Sequence, residues 1–347
     1  MRWICPAVLT VLLLSLQPVF ATEAPPCSGA VCAADVSFAN GDVRLSGTLY
    51  RPGNGRIVSA LVAAHGASGG ERSSAMFRHL YEALPRLGVA VLVFDRRGAG
   101  RSTGVLKDAD YTVLADDAIA ARRFIASQPG LGDVPVGYWG YSQGGWIATL
   151  AGSRDPQAAF VVSVSAPLVP ADVQMIEATR NILRIHDVSE DDIAIAIDAR
   201  KAVDAHIRGQ MNAAQAQAKL DLSRSKPWFG LIYMSGKLGD PKTSRWLKEI
   251  SNDPLRALTK VRAPALLVFG RQDVWIPVPI SVERAEALAN ERLAVVVIDD
   301  ADHAMMTTLS PMQQIDTRMS KQYRPDSVEY FYALASWLTK NGFAGLE

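Results

Sequence analysis

Two residue types from which catalytic and metal sites are often built are scarce in this chain, which holds three cysteines and five histidines. No H-E-x-x-H and no clustered His/Cys/Asp set occurs, so metal-dependent hydrolysis is disfavoured and no cofactor is expected. Excess charge of one sign is missing as well. With 36 Lys and Arg against 35 Asp and Glu, the formal net charge is +1. That leaves no electrostatic reason to seek a polyanion, and nucleic acid is not expected as a partner. Internal repeats and low-complexity tracts are absent. What is present is apolar material, 49% of 347 residues, enough for a substantial core. The length permits two domains of roughly 150 residues or one large α/β domain with an insertion, and the order of elements has to choose.

The first 21 residues differ from the rest. Arg2 supplies a charge, Ile4 to Leu16 an apolar stretch, and "VFA" ends at Ala21 with the small-x-small spacing of a signal-peptidase site. Residues 1–21 therefore read as a cleaved signal peptide, and the protein as exported, periplasmic or extracellular. A spanning anchor needs about 20 apolar residues. Gln17-Pro18 interrupts this run, so no stable membrane insertion is expected after cleavage. Cys5 leaves with the leader. Cys27 and Cys32 remain in "CSGAVC", where an oxidising compartment lets them close a small loop as a disulfide. A tetrahedral zinc would be left half-liganded by these two thiols; a pair of free thiols is the other reading.

From Val36 to Tyr50, "DVSFA" and "VRLSGTLY" alternate on either side of "NGD", and Asn-Gly predicts a hairpin turn. Then come continuous apolar runs at 57–65, 89–95, 134–141, 159–166, 264–270 and 293–299. Strands buried on both faces belong to a mostly parallel sheet. Helical patterns fill the gaps: Met76, Leu80, Leu84 and Leu87 before Gly88, and Leu114, Ala118, Ala121 and Ile125 before Gln128-Pro129. Near the end, "DSVEYFYALASWL" has a capping-box spacing from Asp326 to Glu329, with Val328, Phe331, Leu334 and Leu338 on one side. Between about Leu168 and Thr259 no credible strand occurs, only helical segments. This predicts a helical cap above the sheet, whose Trp228, Phe229, Tyr233, Met234 and Trp246 either line an apolar pocket or glue the cap helices together.

Gly140-Tyr141-Ser142-Gln143-Gly144 fits G-x-S-x-G where a strand ends and a helix begins. In such an elbow the serine takes a strained conformation and its hydroxyl is lifted above the sheet edge. A serine hydroxyl needs a base to take its proton. His303, in "DDADHAMM" just beyond the last apolar run, emerges at the same sheet edge. His79 reads as a surface helix residue; His186 and His206 belong to the cap. The acid is expected at the end of an intervening strand, where "LLVFGRQDVWIP" places Asp273; Asp299, Asp300 and Asp302 compete by closeness to His303. The order Ser142, Asp273, His303 is nucleophile, acid, base.

With "HGASGG", "FDRRGAGRS", "GYSQGG", "GRQD" and "DADH", the chain from about Val36 to Leu338 resembles the α/β-hydrolase superfamily. More narrowly, it is similar to secreted bacterial serine esterases and acyl-peptidase-like hydrolases. The resemblance implies an α/β-hydrolase fold with a mostly parallel central sheet and a helical cap after the sixth strand. It implies a core at 35–167 and 260–347, a cap at 168–259, and an N-terminal segment at 22–34. It also implies that "HGASGG" leads into an oxyanion hole, with the backbone N–H groups of Ala67 and Gln143 as donors, or Ser68 or Gly69 if the loop is shifted. His65 would then shape that loop, while Asp95 and the arginines brace it.

Two rival motifs fail on their partners. Glycines 98, 100 and 104 do not have the G-x-G-x-x-G spacing, and "SRSK" lacks S-D-N and K-T-G. The expected activity is hydrolysis of a small-molecule carboxylic ester through an acyl-enzyme. A peptidase or amidase on short peptides, or a non-catalytic binding protein that keeps the fold, are the alternatives.

Overall fold

The computed structural model describes residues 27–307, 310–316 and 326–345. The expected signal peptide at 1–21 lies outside the described residues. Among them, nine strands form one sheet: β1 (Cys27–Ser28), β2 (Val31–Asn40), β3 (Val43–Pro52), β4 (Ser59–Ala64), β5 (Val89–Phe94), β6 (Val136–Tyr141), β7 (Val161–Val164), β8 (Ala265–Gly270) and β9 (Leu293–Ile298). Their spatial order is β1-β2-β3-β5-β4-β6-β7-β8-β9. From β5 across to β9 every pair is parallel; β1, β2 and β3 form the antiparallel edge.

The continuous apolar runs are explained by helices on both faces. Along β4, Ala60, Val62 and Ala64 enter one core and Leu61 and Ala63 the other, because side chains alternate across a strand. The first core lies under α2 (Tyr111–Ala126) and α3 (Gln143–Arg154), the second under α1 (Arg78–Ala83) and α11 (Val328–Lys340). Between β7 and β8 run α4 (Ala171–Ile185), α5 (Glu190–Ile207), α6 (Ala213–Arg224), α7 (Arg245–Ile250) and α8 (Pro254–Leu258). Helix α9 (Val278–Glu286) joins β8 to β9, and α10 (Pro311–Ile315) follows β9.

Four local expectations shift. The helical insertion follows the seventh strand, not the sixth, because Cys27–Ser28 adds a strand by folding back on Val31–Cys32 around Gly29, with Cys27 and Cys32 disulfide-bonded. Residues 31–34, assigned to an N-terminal segment, are already part of β2. The helix expected over Met76–Leu87 is split into two 3₁₀ turns flanking α1, with Pro85 in the first turn of the second and Gly88 at φ 77° ending it. Finally, the N-cap of α11 is Ser327, whose hydroxyl accepts from the Tyr330 N–H, and not Asp326. Tyr330, Leu334 and Leu338 face inward, and Val328, expected with them, is 81% exposed.

Candidate active site

Strand β6 delivers the chain to Ser142, which adopts φ 55°, ψ −123° between strand and helix. That left-handed conformation is strained for a residue with a side chain. It persists because the surroundings are close-packed: a Cβ on Gly140 would strike the Gly144 carbonyl, and one on Gly144 would strike the Ala64 carbonyl of neighbouring β4. The glycines of the motif are thus required by the approach of α3 to the sheet. The Ser142 N–H donates to the Val164 carbonyl at 2.7 Å, which ties the elbow to β7.

The adjacent parallel strands β8 and β9 carry the other two groups. Past β8, the Gln272 N–H donates to the Ala301 carbonyl at 3.0 Å, so the loop bearing Asp273 and the loop bearing His303 are joined. His303 Nδ1 lies 2.6 Å from Asp273 Oδ2 and its Nε2 lies 3.0 Å from Ser142 Oγ. An ionised carboxylate only accepts. Nδ1 therefore carries the ring proton, and Nε2 faces the hydroxyl as an acceptor. The other oxygen, Asp273 Oδ1, accepts from the Trp275 N–H at 2.8 Å, and the carboxylate is wholly buried.

The competing acids are engaged elsewhere. Asp299 pairs with Arg271, Asp300 accepts from the Ser327 hydroxyl, and Asp302 Oδ1 accepts from the Ala304 and Met306 N–H groups. Asp302 thereby holds the turn that presents His303. Its neighbour Tyr141 lies against the His303 ring, centroids 5.2 Å apart, with its hydroxyl pKa pushed well up by burial and by Asp273.

On the far side of Ser142, the loop from His65 to Gly70 is fastened by the turn after β5. Arg96 Nη2 donates to the carbonyls of His65 and Gly66, and the Arg96 N–H to Gly70. Asp95 accepts from the backbone N–H groups of Arg72 and Arg101. His65 Nε2 donates to the Phe94 carbonyl at 2.7 Å, and burial lowers its pKa to about 4. It is a neutral post for the loop. Ala67, Ser68 and Gln143 line the same cavity as Ser142 and His303. As the first residue of α3, Gln143 has a backbone N–H with no intrahelical acceptor. His79, expected at the surface, packs edge-on against Trp139 and Tyr330, and burial lowers its pKa to about 4.

The cavity encloses about 630 Å³. Of the cap aromatics, Tyr233 and Trp246 line it, whereas Trp228, Phe229 and Met234 pack within the cap's own apolar cluster with Leu183 and Ile193. Both readings of that aromatic set hold, each for part of it. The rest of the wall was not anticipated: Tyr111 and Trp146 from the core helices, Trp275 beyond Asp273, Met175 of α4, and Glu249 of α7. Trp275 alone had a signal, two residues after the acid. Glu249 looks like an ordinary charged helix residue until α7 docks.

A family model described as alpha/beta hydrolase fold matches residues 59–308, and the chain belongs to that family. It is similar to the thiohydrolase aneE of Aspergillus aculeatus, 32% identical over 141 residues, which are 40% of this chain and 42% of that one. The chain thus spans less than half the length of this curated relative. It is also similar to the bifunctional esterase/perhydrolase DCH of Acinetobacter calcoaceticus, 25% identical over 238 residues, covering 64% of this chain and 77% of that one. An esterase structure from Pyrococcus furiosus superposes with a TM-score of 0.55 at 18% identity, covering 89% and 90% of the two chains. At that identity the likeness is one of fold.

Proposed function

We propose that the protein is a serine hydrolase of small carboxylic esters. One observation carries this reading: Ser142 Oγ, His303 and Asp273 stand in hydrogen-bonded line, 3.0 and 2.6 Å apart, at the floor of a cavity walled mainly by apolar side chains. His303 Nε2 takes the Ser142 proton as Oγ attacks the acyl carbon. Asp273 holds the ring and stabilises its charged form. The developing oxyanion faces the N–H groups of Ala67 and Gln143, and loss of one such donor costs about 3 kcal/mol in comparable enzymes. The protonated imidazole then gives its proton to the departing alcohol. Water, activated by the same ring, releases the acid and restores Ser142. The names of two curated relatives, an esterase/perhydrolase and a thiohydrolase, support cleavage of an acyl–oxygen or acyl–sulfur bond over an amide.

A fluorophosphonate probe tests the nucleophile: labelling of the folded protein is expected, and none in Ser142→Ala. Hydrolysis of p-nitrophenyl esters is expected to exceed that of aminoacyl anilides. The reverse preference favours the peptidase, and a folded chain that neither labels nor turns over is a binding protein. The leader at 1–21 and the Cys27–Cys32 bond support export to the periplasm or beyond. Expression in a secreting bacterium is expected to yield a mature chain starting at Thr22; an intact leader on cytoplasmic protein overturns that placement.

A further inference from the structure

One corner of the cavity departs from its apolar walls. Glu249, on cap helix α7, lines both the main cavity and an adjoining one of about 300 Å³ whose walls include Arg96 and Arg245. Its ion pair is with Arg245 one turn earlier on the same helix, Nε to Oε1 2.7 Å, without a well-aligned hydrogen bond. The Tyr111 hydroxyl contacts both Glu249 and the Gln143 side chain. A carboxylate only accepts, so the Tyr111 hydroxyl is the available donor to Glu249. Gln143 Oε1 is left buried without a partner, and such an orphaned acceptor is costly in a folded protein. The corner therefore presents two acceptors, a carboxylate and an amide oxygen, in the wall of the cavity that holds the nucleophile.

We propose that Glu249, with Tyr111 and Gln143, forms a specificity subsite for a neutral hydrogen-bond donor, a hydroxyl on the substrate chain. This rests on the ester-hydrolase reading of Ser142. The charge of the corner excludes the alternatives. Two guanidinium groups surround one carboxylate, so a cationic group is repelled, while a substrate carboxylate would meet Glu249 itself. A site built to bond a hydroxyl discriminates against the analogue lacking it, because its buried acceptors are then left unpaired. The hydroxyl can sit on the acyl or on the alcohol half.

The test compares hydroxyl with methyl at the same place. In the first arm, p-nitrophenyl 6-hydroxyhexanoate is set against p-nitrophenyl heptanoate; in the second, 4-hydroxybutyl hexanoate against pentyl hexanoate. In one arm, the wild type is expected to favour the hydroxylated ester by about tenfold or more in kcat/KM. Glu249→Leu is expected to bring that ratio to one or below, and Tyr111→Phe to reduce it in part. The arm showing the preference identifies the half of the substrate that enters the corner. Fluorophosphonate labelling and thermal melting establish that each variant is folded with an intact nucleophile. If the wild type hydrolyses both esters of each pair without preference, or Glu249→Leu keeps the preference, the subsite is refuted while the hydrolase stands. If no ester is hydrolysed and Ser142 is not labelled, both readings fall.

Discussion

The two loops that flank Ser142 each hold an aspartate and a histidine and do opposite things with them. On the β4–β5 side, Asp95, Arg96 and His65 are satisfied by backbone: the acid by N–H groups, the guanidinium by carbonyls, the imidazole by Phe94. On the β8–β9 side, His303 sits between a carboxylate and a hydroxyl, with one edge open to the cavity. Residue type does not make a histidine a base. What matters is a proton acceptor behind one ring nitrogen and a reactive proton in front of the other.

The sharpest way to break this contrast is to remove each ring. His303→Ala is expected to lower kcat about 10⁶-fold on a p-nitrophenyl ester. His65→Ala is expected to act first on the loop and the melt, costing on the order of 2 kcal/mol; a folded His65→Ala as inactive as His303→Ala would erase the distinction. Next in size is Asp273→Asn, expected to lower kcat about 10⁴-fold with the fold intact. Asp299→Asn and Asp300→Asn should stay within a few-fold of wild type, and the opposite ranking would reassign the acid.

Titration sharpens the comparison differently. His65 and His79 have folded pKa values near 4 against 6.5 when free, because burial disfavours their charged forms. The unfolded chain binds the extra protons, so this stability is fully present above pH 6.5 and is lost as pH falls towards 4, by roughly 3 kcal/mol per ring. Urea unfolding of His79→Gln should show a shallower decline over that window than wild type; an unchanged slope would mean that His79 is not held neutral. A smaller loss than for His303 or Asp273 is expected for Arg96→Met, which frees the carbonyls of His65 and Gly66. If that loop supplies the proposed Ala67 donor, its displacement should lower kcat by at most about 10²-fold with KM little changed. A pure KM effect would make Arg96 part of the binding wall instead.

The elbow and its partners were legible because their signals are local. Gly140, Ser142 and Gly144 announce a backbone that bends where a strand meets a helix, and Asp273 and His303 follow apolar strands whose carboxyl ends must share one rim. Asp302 was legible only as a competitor for the place of Asp273. Its actual work, gripping the N–H groups of Ala304 and Met306, depends on the turn closing around it. Val328 was misplaced because, at about 100° per residue, it lies about 120° around the helix from Leu334, outside the face that Tyr330, Leu334 and Leu338 bury.

Chain order was enough for the buried parallel strands, their stacking and the three groups at the rim, since periodicity and turn chemistry act over a few residues and the handedness of crossovers does the rest. The cavity wall lay beyond its reach. Whether Trp246 faces the cavity while Trp228 packs inside the cap, and whether Glu249 meets Tyr111, depends on how α4 to α7 dock on the sheet. That docking is a sum of many weak contacts between residues far apart along the chain, and no short stretch of sequence records it.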